Sequence, residues 1–160
     1  MNPVLISVMR IIRDLLDYPE ELIQQGRLNE DRTDFDTGYI VVDTLAPGQP
    51  QTTGQRYNGD TEKLTHSARV RQSITVDFYG LNAYTNAQQL QLLLKSDKAY
   101  ELQRLHGVTM GSFQQITDVK ALTGQQYGNR YQAELVINYS PSVTLDVLRI
   151  DTAVIETTVN

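Results

Sequence analysis

The chain has 160 residues, no cysteine and a net charge of −5, with a pI near 4.9. That length suits one domain with a real core, and the acidic balance argues against broad or sequence-specific nucleic-acid binding, which draws on clustered Lys and Arg. Without thiols there is no disulfide, thiolate nucleophile or thiolate metal site, so stability must come from the core, from oligomerisation or from both.

Reading from the start, Val4, Leu5, Val8, Ile11, Ile12, Leu15 and Leu16 form one apolar stripe at helical spacing. The spacing predicts an amphipathic helix beginning at Asn2-Pro3, a cap followed by proline at the first helical position. Arg10, Arg13, Asp14 and Asp17 interrupt the segment, so it does not read as a signal peptide. No run approaches the ~18 consecutive apolar residues of a membrane span, so a soluble chain is expected. A second short helix is expected after Tyr18-Pro19, with Glu20 and Glu21 in its first turn and an end at Gly26.

The polar run "RLNEDRTDFDTG" leads into "YIVVDTLAP", whose β-branched cluster reads as a strand buried on both faces. From about 47 to 63 the text "GQPQTTGQRYNGDTEK" carries three glycines and almost nothing apolar. It reads as a long polar loop, and such a loop in a compact domain is usually functional or disordered. In "RVRQSITVDFYG", Val70, Ile74, Val76 and Phe78 alternate with Arg69, Arg71, Ser73, Thr75, Asp77 and Tyr79, the pattern of a two-faced strand. The first set belongs to the core. The second carries both charge signs and a tyrosine, the composition either of a solvated face or of a contact surface.

A helix is predicted from a cap at Thr85 or Asn86, with Leu90, Leu93 and Leu94 inward. A break at Ser96-Asp97 starts another, with Ala99, Leu102 and Leu105 inward and an end at His106-Gly107. "SFQQITDV" and "RYQAELVINYS" read as strands joined by a turn around "LTGQQYGN", and the segment after Pro141 as extended, ending in a strand at "DTAVIETTVN". The element order predicts a single α+β domain over 1–160: a mostly antiparallel twisted sheet with helices packed on one face.

Catalytic and ligand signatures fail on spacing. Gly48 and Gly54 are one residue too far apart for a phosphate-binding loop, and Gln55 stands where its lysine would be. Asp31, Asp34 and Asp36 raise calcium, but Gly38 and Leu45 occupy the positions where an EF-hand needs oxygens. His106 precedes a helix-ending glycine, and His66 has no carboxylate at a recognisable spacing. No enzyme, metal site or cofactor is expected.

The order of "VLISVMRIIRDLL", "GYIVVDTLAP", "KLTHSARVRQSITVDFYG", "NAQQLQLLLKSDKAYELQRLHGV" and "YQAELVINYS" resembles the neck and tail terminator proteins of tailed bacteriophages. The resemblance implies a non-enzymatic virion subunit, made in the host cytoplasm, that forms a ring, typically a hexamer, at the head-proximal end of the tail. Its implied partners are further copies of itself, the tail tube protein and a head-side neck or connector protein, with no membrane. A stopper or head-completion protein is the neighbouring reading, and a small ligand-binding or enzyme domain is the alternative of a different class. Ring closure needs heterologous contacts. The candidate contact residues are Arg56, Tyr57 and Lys63 on the polar segment and Arg69, Arg71, Asp77 and Tyr79 on the strand.

Overall fold

Asn2 accepts the Val4 N–H on its side chain at 3.0 Å and Pro3 follows it, opening helix α1 (Pro3–Leu16) as its sequence predicts. The computed structural model describes residues 2–26, 38–119, 121–123 and 126–147. The aspartate cluster at 31–36 and the predicted strand at 151–160 lie outside the described residues. Leu5, Val8, Ile11, Ile12 and Leu15 of α1 are buried, and the helix ends at Asp17, a non-glycine residue with φ of 52°. The second helix is only a 3-10 turn, Glu20–Leu22, because the chain becomes extended at β1 (Ile23–Gln25) before reaching Gly26.

The remaining elements are β2 (Ile40–Thr44), β3 (Gln49–Asn58), β4 (Lys63–Tyr79), α2 (Ala83–Leu93), α3 (Asp97–His106), β5 (Val108–Met110), β6 (Ile116–Asp118), β7 (Ala121–Thr123), β8 (Gln126–Gly128), β9 (Arg130–Tyr139) and β10 (Ser142–Asp146). The main sheet runs β1-β2-β4-β9-β5, with β3 and β10 also on β4 and β6 on β9. Among the described residues only the β1–β2 pair is parallel. β7 and β8 pair with each other.

At seventeen residues β4 is the spine, roughly 55 Å long at ~3.3 Å per residue. Each of its edges is covered by two shorter strands in succession. On one edge β2 pairs residues 74–78 and β3 pairs 63–71. On the other, β9 pairs 70–79 and β10 pairs 63–67. The half from Val70 onward is the body of the protein, where Ile74, Val76 and Phe78 meet Ile40 and Val42 of β2 and Ala133, Leu135 and Ile137 of β9 in one buried layer.

α1, α2 and α3 cover that layer. Leu90, Leu94 and Ala99 are buried in it as predicted, and Leu93 and Leu102 are partly covered. Ser96 caps α3, its hydroxyl accepting the Ala99 N–H at 3.2 Å. Leu105, expected inward, is exposed; the inward place is taken by Gln103, whose Oε1 accepts the Met110 N–H at 2.9 Å and ties α3 to β5.

The segment expected as a loop is a strand. β3 is exposed along its whole length, so no burial pattern marks it. What holds it is main-chain pairing with β4 through nine residue pairs, with one bulge between Pro50 and Thr52. The turn that closes the hairpin, residues 59–62, begins with the Asn58 side chain accepting the Asp60 N–H at 3.0 Å.

Where body gives way to hairpin, Leu45 and Ala46 donate their N–H groups to the Ser73 carbonyl. Buried Gln72 donates to the Ala46 carbonyl at 3.3 Å. Gly48 passes so close that an added Cβ would lie 2.7 Å from both Val70 Cγ1 and Tyr139 Oη. Replacing Gly48 with alanine is expected to cost about 1–3 kcal/mol through overpacking, whereas Gly54→Ala, with its nearest neighbour at 3.4 Å, is expected near neutral. Urea unfolding of the two variants side by side checks the contrast.

Candidate interaction surface

On the N-terminal side of residue 70 the sheet continues as a three-stranded arm, β3–β4–β10, that leaves the helices behind. Directly paired residues share a face, so its composition follows from register. The rows Asn58–Lys63–Asp146, Arg56–Thr65–Thr144 and Gly54–Ser67–Ser142 form one face, continued by Arg69 opposite Thr52 and Arg71 opposite Gln49. The rows Tyr57–Leu64–Leu145 and Gln55–His66–Val143 form the other, continued by Ala68 opposite Thr53.

The first face is polar and basic. Arg56, Lys63, Arg69 and Arg71 are all exposed on it, four of the fourteen Lys and Arg of an acidic chain. Thr65 and Thr144 join their hydroxyls across it at 3.1 Å. Lys63 stands directly opposite Asp146. Arg56, Arg69 and Arg71 have no ion pair among the described residues. Fold and register thus bring together four of the residues singled out from the sequence, two of them from what reads as loop.

Tyr57 belongs to the opposite face, which is the extension of the core layer without its helices. Tyr57, Val143 and Leu145 are exposed there. A groove of ≈ 480 Å³ runs along it between His66, Ala68, Pro141 and Val143. It is an open strip, and nothing in its lining assembles a nucleophile with a base. Among the described residues no three His, Cys, Asp or Glu converge as metal ligands.

Asp77 and Tyr79 part company with the arginines. The alternation of β4 is intact, but the polar side of its far half is not open: Asp77 is 0% exposed, and Thr75 and Val41 are buried with it. Arg130 Nη2 donates to Asp77 Oδ2 at 3.2 Å, while Asp77 Oδ1 and Arg130 Nε are buried without a hydrogen-bond partner among the described residues. Tyr79 stacks on Tyr39 with centroids 4.3 Å apart and 7° between planes, and the Arg130 guanidinium lies 5.6 Å from the Tyr79 ring centroid. Asp77 is therefore buried inside the subunit rather than displayed on the face expected for it, and Tyr79 is engaged in a stack that ties the entry of β2 to β4. A sequence reader sees Asp77 and Arg71 at the same parity and has no signal that only one end of that face is covered.

Among known families, the model of the phage neck terminator protein family matches residues 7–160. No curated protein matches the chain.

Arg130→Met would leave the Asp77 carboxylate buried and unpaired, so a stability loss of about 3–5 kcal/mol is expected. Arg71→Met, from the exposed face, is expected to change stability by less than about 0.5 kcal/mol. Chemical denaturation of the isolated subunit separates the two roles.

Proposed function

Since the chain belongs to the phage neck terminator protein family, we propose that its β-arm is the part by which it joins its neighbours in the neck. The protein is a structural component of the virion neck, made in the host cytoplasm, and not an enzyme. In the proposed reading, copies close into a ring, a hexamer, on the head-proximal end of the tail. The ring ends polymerisation of the tail tube protein below and offers the head-side connector a surface above.

The observation that carries the role of the arm is its arginine face. Arg56 and Arg69 stand exposed on the arm and Arg71 at its junction with the body, and none of the three has an ion pair among the described residues. Interfaces favour arginine over lysine, because its planar fork makes several directed hydrogen bonds. Main-chain pairing of β4 with β3 means that the backbone under Arg69 and Arg71 is already ordered, and the cost that remains on engagement is that of the two side chains. In a chain of net charge −5, this face is directed at an acidic surface of the tail tube or of the head-side protein.

Arg69→Glu combined with Arg71→Glu is expected to leave the circular dichroism spectrum and the melting temperature unchanged. Head–tail joining should be lost, since each hot-spot arginine is worth about 2 kcal/mol, roughly 30-fold in affinity. Complementation of a phage lacking the protein, scored by infectious yield and by electron microscopy of unjoined heads and tails, reads the result. Normal yield would return this face to the solvent.

A further inference from the structure

The other face of the arm is a core surface without its cover, and the chain carries a second surface with the complementary deficiency. From Leu81 to Leu94 the text "LNAYTNAQQLQLLL" holds no charged residue, although Leu81, Tyr84, Gln88 and Leu92 are exposed. Tyr84, Gln88 and Leu92 follow one another at i, i+4 and i+8 along one side of α2, with Gln88 Nε2 donating to the Tyr84 hydroxyl at 2.8 Å. Leu92 is 75% exposed. Helix α3 differs in carrying charge on its open side, where Asp97, Lys98, Glu101 and Arg104 stand among the exposed Tyr100 and Leu105.

We infer that the apolar face of the arm, Tyr57, Val143 and Leu145, docks on the uncharged outer side of α2 in the next copy of the chain. Val143 is 60% exposed and Leu145 50%; among the described residues no helix covers this face of the arm, and on the outer side of α2 Tyr84 meets the Tyr131 ring while Gln88 and Leu92 stay exposed. The two patches lie on different elements of one chain, as a heterologous, ring-closing contact requires. Their charges agree at the rim: Asp60 and Glu62 stand exposed in the turn at the arm tip, and Lys95 follows α2. Charge depletion in the middle with opposite charges at the edge is the anatomy of a protein interface. This contact rests on the ring reading above and specifies how the ring closes.

The test uses two full-length double variants, both altered only at exposed positions. One breaks the arm, Val143→Lys with Leu145→Lys; the other breaks the helix, Tyr84→Lys with Leu92→Lys. Each alone should fall from the native ring to a monomer of 18.1 kDa by light scattering or native mass spectrometry, with an unchanged circular dichroism spectrum. Mixed together, they retain one good arm and one good helix, so a 1:1 dimer and nothing larger is expected. Rings formed by either variant alone, or a mixture that stays monomeric up to its solubility limit, would overturn this contact while native rings kept the ring reading standing. A native chain monomeric in solution and present as a single copy in purified necks would remove the ring reading, and this contact with it.

Discussion

One strand running past its own core is the constraint on which the rest of this protein depends. A paired β-strand needs hydrogen-bond partners on both edges wherever water does not supply them. Because β4 is longer than any strand beside it, it takes its partners in relays, β2 then β3 on one side and β9 then β10 on the other. The handover points fix the architecture. Gly48, with no room for a Cβ, and buried Gln72, holding the Ala46 carbonyl, stand at one of them, and Pro141 stands at the other. On the far side of those points the same strand, with the same alternation, is a different object. Among the described residues it has two open faces and no helix against it.

That division assigns the chemistry. Within the body, β4 spends its polar residues on internal order, as in the Asp77–Arg130 pair and the Tyr79–Tyr39 stack. Within the arm it presents them. A single alternating strand thus carries a buried ion pair at one end and exposed arginines at the other. The difference comes from what the surrounding fold covers. For a neck protein this arrangement puts the proposed contact surface on a platform paired through main-chain ladders, away from the helices and the core.

Much of the body was legible in the sequence, because its signals are signals of burial. The stripe from Val4 to Leu16 predicts α1 and its buried face, Ser96 predicts the cap of α3, and the alternation from Val70 to Phe78 predicts the centre of the sheet. The arm was not legible, since "QPQTTGQRYN" buries nothing and pairs through its backbone, which hydrophobic periodicity cannot detect. β1 and β5, of three residues each, are too short for a pattern. Parity placed Asp77 correctly on the polar face but could not tell that this end of the face is closed. Gln103 takes the inward place expected for Leu105 and accepts the Met110 N–H, a contact that arises only once α3 and β5 are side by side.

The exposure of β3 has a consequence for how the molecule breathes. Its ladder to β4 has water on both faces, and no buried side chain on β3 resists its parting, so local opening there is separated from the global unfolding of the body. Along one continuous strand, amide protection against hydrogen exchange should run from that of the slowest core amides near Ile74 to that of a frayed hairpin near Thr65. The arm is therefore a cooperative unit of its own, and its rigidity is the property most open to change when another surface closes over it.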